Sequence, residues 1–276
     1  MKKGKSCMSD KTINTLSKMK VLLSNDDGIC APGIKLLENI VSKYFNNVIV
    51  IAPDSNRSGA SNSLTLANPF VAKKIDDNHY AVGGSPVDSV AFGLRHLFTP
   101  DNYPNLVISG INSDSNLSDD ILYSGTIGVA REACLFGIPA IAISQQRYPD
   151  RTINWEISEH YTEIILKQIM ENYKFVKNVF LSINFPAVKL SEVKGIRSTF
   201  QGHRTINDRL VSYVDPRKVE HYWIGIGSYV NGEDINTLNS DIGAIKEGYI
   251  TITPLTVDNT SYEQISTMKN IFNTDF

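Results

Sequence analysis

The chain of 276 residues is poor in cysteine, and its three cysteines stand far apart. Cys7, Cys30 and Cys134 show none of the paired spacings of a disulfide framework or a thiolate zinc site. Cysteine used this sparsely is typical of a reducing compartment. We therefore predict a cytoplasmic protein.

Long apolar runs and an excess of positive charge are also missing. Residues 1–19 contain lysines but lack the apolar stretch of about seven or more residues that a secretory signal needs, and we predict a disordered leader there. No segment reaches the roughly 18 apolar residues of a membrane span. The 27 Lys and Arg against 29 Asp and Glu give a formal net charge of −2, which is not typical of a nucleic-acid binder. We expect neither a membrane nor a nucleic-acid polymer as a partner.

Two common nucleotide-binding motifs and a histidine metal site are absent from the sequence. There is no Walker-type lysine loop, no G-x-G-x-x-G follows a predicted strand, and the five histidines are not clustered at ligand spacing. These absences weigh against nucleoside triphosphates and dinucleotides as ligands.

Short apolar runs alternate with amphipathic stretches over residues 20–190. The predicted buried strands are Val21–Ser24, Val48–Ala52, Leu106–Ser109, Ala140–Ser144 and Val179–Ile183. The predicted helices are Pro32–Phe45, Ser85–Leu97, Thr126–Phe136 and Ile157–Asn172. This alternation predicts an α/β fold, a Rossmann-like three-layer sandwich whose mainly parallel sheet carries helices on both faces.

The pattern changes after about Pro186. Predicted strands joined by turns follow at Gly195–Phe200, Val211–Val214, Tyr222–Gly227 and Tyr249–Pro254, and a final helix is predicted at Tyr262–Phe272. We predict that residues 191–276 form a small C-terminal β-rich extension with a β-hairpin and a terminal helix.

An acidic pair follows the first predicted strand. Asp26 and Asp27 lie between Asn25 and Gly28, before the helix that begins at Pro32. Ligands of open α/β sheets bind outside the carboxyl ends of the strands. Two adjacent carboxylates repel each other there unless a cation joins them, and oxygen ligands favour Mg²⁺, Mn²⁺ or Ca²⁺ over zinc. A solvated Asp-Gly turn is the alternative.

Polar segments follow the next predicted strands as well. A loop of small residues at 52–63, including Gly59 and Ala60, allows backbone N–H groups to approach an anion, although a flexible polar loop explains it equally. Asn112 offers an oxygen for a metal and Asn116 an amide for a phosphate, with an Asx-turn loop as the alternative. Ser124–Thr126 opens a helix and predicts an anion site or an ordinary N-cap.

The coincidence of these four segments carries more weight than any one of them. In a parallel sheet they meet at one edge, where a metal would lie beside a group of anion-binding amides. This combination is what hydrolysis of a phosphate ester requires.

Several strings of the sequence together resemble the SurE survival protein family, also called 5′-nucleotidase SurE. They are VLLSNDDGICAPGI (Val21–Ile34), APDSNRSGASNSLTL (Ala52–Leu66), GGSPVDSV (Gly83–Val90), VISGINSDSNLSDDILYSGTIGVAREA (Val107–Ala133) and EGYITITPL (Glu247–Leu255). The resemblance runs from about Lys20 to the tail. It implies a metal-dependent phosphatase core at residues 20–190 that hydrolyses nucleoside 5′-monophosphates and 3′-monophosphates, and short polyphosphate in some members.

The resemblance also implies a set of site residues. The matching positions for one divalent ion per subunit, Mg²⁺ or Mn²⁺ with Ca²⁺ as a substitute in crystals, are Asp26, Asp27, Ser58 and Asn112. Phosphate or substrate contacts are expected from Asn25, Gly59, Ala60, Asn116, Ser124, Gly125 and Thr126. Asp26 and Asp27 are also the catalytic candidates, one as a base toward water or as a nucleophile. Members form homodimers or homotetramers by exchanging the C-terminal hairpin and helix, which implies the same role for residues 191–276.

This chain departs from the family pattern at a few positions. Ser113, Asp114 and Ser115 replace small residues, Cys30 replaces a common His, and Ser85 replaces a common Thr. None of these departures falls on the four implied ligands, so we expect the activity class to be kept. Two other hypotheses are a metal-dependent transferase that uses a nucleotide-linked donor and a non-catalytic nucleotide sensor.

Overall fold

A computed structural model describes residues 10–203, 209–225 and 238–272 of the chain. Within these residues the strands are β1 (Lys20–Ser24), β2 (Asn47–Pro53), β3 (Ala72–Lys74), β4 (His79–Val82), β5 (Leu106–Asn112), β6 (Ala140–Gln145), β7 (Val179–Phe185), β8 (Gly195–Ser198), β9 (Arg209–Val214), β10 (Glu220–Gly225) and β11 (Tyr249–Thr256). The helices are α1 (Asp10–Lys18), α2 (Pro32–Val41), α3 (Pro86–Phe92), α4 (Gly125–Leu135), α5 (Trp155–Asn172), α6 (Asp241–Lys246) and α7 (Tyr262–Phe272).

Nine of these strands form one sheet in the order β3-β4-β2-β1-β5-β6-β7-β11-β8. The six strands from β4 to β7 in this order run parallel, whereas β3 pairs antiparallel with β4 and β11 pairs antiparallel with β7 and parallel with β8. All seven residues of β5 are buried, as expected for a central strand covered on both faces. The predicted α/β fold with a mainly parallel sheet and its five core strands is confirmed.

Helices cover both faces of the sheet. Val21 and Leu23 of β1 point into an apolar cluster with α1, α2 and α5, and Leu22 points into the opposite cluster with α3 and α4. The alternation follows from the two-residue period of side chains along a strand. Among the described residues, no helix combines the length and the apolar character that crossing a bilayer requires.

The predicted disordered leader is wrong for residues 10–18. These residues form α1, and Leu16 is 3% exposed in the cluster that contains α2 and α5. Met19 packs against the same cluster, three residues further along. Met19 lies just after the end of α1, and two apolar side chains three residues apart are a short signal that is easily missed next to the lysines. Residues 1–9 lie outside the described residues.

The C-terminal strands divide between two sheets. β11 pairs with β7, and β8 pairs with β11, so both belong to the main sheet rather than to an appended unit. Only β9 and β10 form a separate antiparallel pair, which we call the ribbon (Arg209–Gly225). The predicted helix Tyr262–Phe272 is present, and residues 226–227 of the predicted strand Tyr222–Gly227 lie outside the described residues.

Several short elements of the structure were not indicated by the sequence. β3 and β4 have three and four residues, and α6 has six. The predicted helix Ser85–Leu97 ends at Phe92 and continues as a π-helical turn over Gly93–Leu97. Segments of this length offer too few residues for a periodic pattern to emerge.

Candidate active site

The acidic pair lies where β1 ends, next to the start of α4. Asp26 is 4% exposed, and the Thr126 hydroxyl donates a hydrogen bond of 2.5 Å to its Oδ1 atom. Gly125 packs closely against the Asp26 side chain. A Cβ atom on Gly125 would stand 2.8 Å from Asp26 Cβ and 3.0 Å from Asp26 Oδ2. The helix N-terminus and the acidic pair therefore share one small space.

Burial gives Asp26 an unusual pKa. The pKa of Asp26 is raised from 3.8 to about 6, mainly because burial removes hydration; the hydrogen bond from Thr126 opposes this rise and the charge of neighbouring Asp27 adds to it. Ionised Asp26 is therefore costly at neutral pH without a compensating positive charge. A cation at this position would remove that cost.

Without a bound cation, we expect Asp26 to lower the free energy of unfolding as the pH rises. Its folded pKa of about 6 lies above the unfolded value of about 3.9, so the folded state binds more protons between these values. The stability that this proton contributes is fully present below about pH 4 and is lost as the pH rises through about 6. The difference corresponds to about 3 kcal/mol at pH 7.

This expectation is checked by urea unfolding at pH 4.5 and pH 7 in EDTA. Asp26→Asn removes the titrating group, so its unfolding free energy should decline less between the two pH values than that of the wild type. Asp77→Asn, at a side chain that is 96% exposed, is the matched control and should behave like the wild type. An equal pH dependence in wild type and Asp26→Asn would contradict the expectation.

Asp27 is held by groups from two other strand ends. Its Oδ2 atom accepts a hydrogen bond of 2.9 Å from the Ser113 N–H, and its Oδ1 atom accepts one of 3.1 Å from the Ser113 hydroxyl. The Asn56 amide donates to the same Oδ1 at 3.3 Å. The loops after β1, β2 and β5 thus meet at this carboxylate.

Arg147, after β6, supports Ser113 in turn. Its Nε atom donates to the Ser113 carbonyl, and one of its terminal nitrogens donates to the Ser113 hydroxyl at 3.0 Å. Asp114 lies 3.6 Å from Arg147 Nε. Sequence reasoning missed Arg147, although its place just after a parallel strand was a usable signal.

None of the departures falls on an implied ligand, but Ser113 and Asp114 of this loop contact two of them. Ser113 binds Asp27 directly, and the Asp114 carbonyl accepts a hydrogen bond of 2.6 Å from the Asn112 amide nitrogen. That bond turns the Asn112 oxygen away from Asp114. The side-chain carbonyl oxygen of Asn112, the type of atom that a hard cation prefers, is therefore available to another partner.

The loop after β2 packs against the acidic pair through its backbone. The Arg57 N–H donates to the Asp26 carbonyl at 2.7 Å, and the Ser58 N–H donates to the Asn56 side chain at 2.9 Å. Ser58 is exposed, and a Cβ atom on Gly59 would meet nothing within 4 Å. Ser58, Gly59 and Ala60 therefore line an open side of the site.

Asn25 has a structural part in this arrangement. It is fully buried, its amide donates to the Gly28 carbonyl at 2.9 Å, and its oxygen accepts from the Gly28 N–H at 3.2 Å. Gly28 has a φ of +102°, which a side chain would strain. Asn25 closes the turn that presents the acidic pair, and its contact with substrate stays a prediction.

Asn116 and Ser124 lie on the segment that joins β5 to α4. The Asn116 amide donates to the Ser144 hydroxyl at 2.8 Å, and Asn184 bonds the Asn116 backbone at both its N–H and its carbonyl. Ser124 accepts from the Ile127 N–H at 3.1 Å, so it is an N-cap of α4. Capping leaves the first N–H groups of the helix and the Ser124 O–H as donors toward an anion.

The donor set fits a hard divalent cation. The four implied ligands would offer two carboxylates, a hydroxyl and an amide oxygen, all of them oxygen donors. Over the described ranges, no group of three or more His, Cys, Asp or Glu is placed to hold a metal ion. A site in this part of the chain would therefore depend on Ser58 and Asn112 as well as on the acidic pair.

Fold and site together define the class as a Rossmann-like α/β enzyme with an oxygen-rich site at the carboxyl edge of its sheet. The family model described as survival protein SurE matches residues 21–208, and the chain belongs to this family. It is 38% identical over 256 residues to the 5′-nucleotidase SurE of Paramagnetospirillum magneticum, covering 93% of this chain and 96% of that one.

Two further comparisons agree with this assignment. The 5′-nucleotidase SurE of Brucella suis is 40% identical over 248 residues, covering 89% of this chain and 95% of the relative. A crystal structure of the SurE protein from Aquifex aeolicus matches with a TM-score of 0.76 at 35% identity, covering 91% of this chain and 99% of that chain. The resemblance seen in the sequence is confirmed.

Proposed function

We propose that this enzyme is a divalent-metal-dependent phosphatase that hydrolyses nucleoside 5′-monophosphates to nucleoside and phosphate. The observation that carries the proposal is the buried Asp26 carboxylate beside Asp27, facing the N-terminus of α4. The relatives named as 5′-nucleotidases support the substrate class. Activity on 3′-monophosphates and on short polyphosphate belongs to the same proposal and rests on the family resemblance.

One divalent ion, Mg²⁺ or Mn²⁺, would be held by Asp26, Asp27, Ser58 and Asn112. When bound, such an ion supplies positive charge that neutralises the phosphate oxygens. The raised pKa of Asp26 and the free carbonyl oxygen of Asn112 support this ligand set. Ser113 and Arg147 would keep the Asp27 carboxylate in its orientation.

The chain's own groups account for binding and proton transfer. The N–H groups of Gly59, Gly125 and Thr126, with the Ser124 hydroxyl and Asn116, would bind the oxygens of the phosphoryl group as it flattens. The N–H groups of Ala60 and Ser124 already donate to the Arg57 and Asp120 carbonyls, so these two residues would shape the site. One aspartate of the pair would take a proton from the attacking water. The water oxygen bonds to phosphorus, the ester P–O bond breaks, and the released nucleoside oxygen takes up a proton. Direct attack by an aspartate is the alternative.

Phosphate release from AMP, GMP and CMP tests the proposal, with Mg²⁺ or Mn²⁺ present and an EDTA control. We expect release without any acceptor and its loss in EDTA. Release only with an added acceptor would favour the metal-dependent transferase. Nucleotide binding without release would favour the non-catalytic sensor.

We also propose that the extension at residues 191–276 joins subunits into a homodimer or homotetramer by exchange of its hairpin, the ribbon, and its terminal helix α7. The ribbon leaves large apolar side chains uncovered, because Trp223 is 66% exposed and Ile224 is 78% exposed. On α7, Ile271 and Phe272 are 58% and 64% exposed. A two-stranded ribbon is marginally stable alone, and apolar surface of this kind is typical of a contact surface.

Ile224→Asp is expected to shift the protein toward the monomer, because it places a charge at the most exposed apolar position of the ribbon. Mass measured by light scattering after size exclusion checks this result. Lys218→Asp places the same side chain in the turn of the ribbon, with a larger change of charge, and should leave the mass unchanged. A wild type that is already monomeric, or an unchanged mass of Ile224→Asp, would contradict the exchange.

The cytoplasmic location stays a prediction from the sequence. The exposed free thiol of Cys30 supports a reducing compartment, since such a thiol is vulnerable to oxidation.

A further inference from the structure

A buried carboxylate outside the proposed ligand set joins two distant parts of the chain. Asp241, in the first turn of α6, is 1% exposed. Its Oδ2 atom accepts a hydrogen bond of 2.9 Å from the Ser118 N–H, and its Oδ1 atom accepts bonds of 2.8 and 2.7 Å from the N–H groups of Gly202 and Ile242. A carboxylate is costly to bury without such partners, so its position is closely specified.

Ser118 lies near the start of the site turn, which we define as residues 117–124. This turn connects Asn116 with Ser124 and therefore joins two of the proposed phosphate contacts. Ser118 is fully buried with a φ of +56°, a left-handed backbone conformation that is uncommon for residues other than glycine. The bond to Asp241 offsets the cost of that conformation by satisfying the Ser118 N–H away from water.

The site turn also holds the loop that carries Ser58. The Ser61 hydroxyl donates to the Leu122 carbonyl at 2.6 Å, and the Ser61 N–H donates to the Tyr123 carbonyl at 3.0 Å. A displacement of the site turn would therefore reach both sides of the space above Asp26.

Another partner of Asp241, Gly202, lies at the root of the ribbon, which we define as residues 199–202 and 239–241. The chain leaves the main sheet and returns to it through this root. The Phe200 N–H donates to the Asn239 carbonyl and the Asp241 N–H donates to the Phe200 carbonyl, both at 2.9 Å. One side chain thus clamps the two ends of the root and the site turn together.

We propose that Asp241 is a positioning residue of the active site. Through the Ser118 N–H, it holds the site turn in the geometry that binds the substrate phosphate, and it couples that geometry to the root of the ribbon. This inference rests on the proposed phosphatase function and deepens it.

Asp241→Asn tests the inference because it breaks only part of the clamp. The amide oxygen can keep the two bonds from Gly202 and Ile242, whereas the amide nitrogen then faces the Ser118 N–H, donor against donor. We expect the KM for AMP to rise about tenfold with kcat within about threefold, since binding geometry is lost rather than chemistry. Amide hydrogen exchange should become faster in peptides of the site turn but not in β5.

Asp77→Asn, which removes an exposed surface carboxylate paired with Lys74, is the matched control and should match the wild type in KM and in exchange. A wild type without phosphate release would overturn the proposed function itself. An active wild type with an unchanged KM in Asp241→Asn would overturn only the role of Asp241. Equal acceleration of exchange in all peptides would also overturn it, because the residue would then be merely structural.

A second measurement needs no variant and decides the question even if Asp241→Asn does not fold. Inorganic phosphate with Mg²⁺, added to the wild-type protein, should slow amide exchange in the site turn and also in the root of the ribbon. Protection of the site turn without protection of the root would overturn the coupling.

Discussion

Replacing Asp27 with Asn is expected to lower kcat/KM for AMP by at least about a hundredfold and to abolish tight Mn²⁺ binding. The substitution removes one of the two charges that a cation would neutralise. It also places an amide N–H₂ where Asp27 now accepts from the Ser113 N–H, the Ser113 hydroxyl and the Asn56 amide. Initial rates and Mn²⁺ titration by electron paramagnetic resonance measure the two effects separately.

Asp54→Asn is the matched control for Asp27→Asn. Asp54 stands at the start of the loop after β2, its side chain is 51% exposed, and it pairs with Arg57 rather than with the acidic pair. We expect near-normal rates and metal affinity from it. If Asp27→Asn retained both its metal and its turnover, the proposed ligand set would be wrong.

Replacing Gly125 with Ala is expected to lower kcat/KM by about a hundredfold through displacement of Asp26. The new methyl group would stand 2.8 Å from Asp26 Cβ and from Pro86 Cγ, closer than real Cβ contacts. Either the carboxylate or the first turn of α4 must move. Because Thr126 and the N–H groups of that turn share the same space, metal and phosphate binding should weaken together.

Gly83→Ala separates this effect from a general penalty of the substitution. A Cβ atom on Gly83 would meet the Val71 carbonyl at 3.4 Å and Asp54 Oδ2 at 3.5 Å, which are ordinary contacts. Steady-state rates and thermal unfolding of both variants check the prediction. A Gly125→Ala protein as active as Gly83→Ala would show that the helix start and the carboxylate are less tightly packed than the structure indicates.

The burial of Asp26 lowers the stability of the cation-free protein and at the same time favours cation binding. Burial that raises the pKa of Asp26 makes the cation-free protein less stable at neutral pH. The same burial strengthens the attraction of the pair for a cation, because the medium around it screens charge poorly. A site built this way is therefore expected to gain stability on binding Mg²⁺ or Mn²⁺.

The core strands were predictable because parallel strands covered on both faces must be continuously apolar. Leu106–Ser109 and Ala140–Ser144 are such runs, and β5 and β6 contain them. Edge strands such as Ala72–Lys74 need no apolar run and left no signal. Leu16 is buried because α2 and α5 cover it, so the sequence around Leu16 alone did not indicate a buried helix.

Some residues of the site could likewise be predicted from the sequence, and others could not. Asp26, Asp27 and Asn112 were predicted as site candidates because each follows a predicted apolar strand, and the carboxyl ends of parallel strands meet at one edge. Arg147 and Asp241 were not found as partners of the site. They act through hydrogen bonds to Ser113 and Ser118, residues 34 and 123 positions away along the chain.

The sequence by itself determined the α/β architecture, the edge at which the site lies and the family of the chain. Periodic burial and the order of strands are properties of local pattern, so they can be read along the chain. Only the tertiary structure decided that Asp26 is buried beneath Gly125 and that Arg147 supports Ser113. It also decided that Asp241 joins the site turn to the root of the ribbon. Burial and hydrogen bonding between distant residues depend on which surfaces pack together, and no local pattern records that.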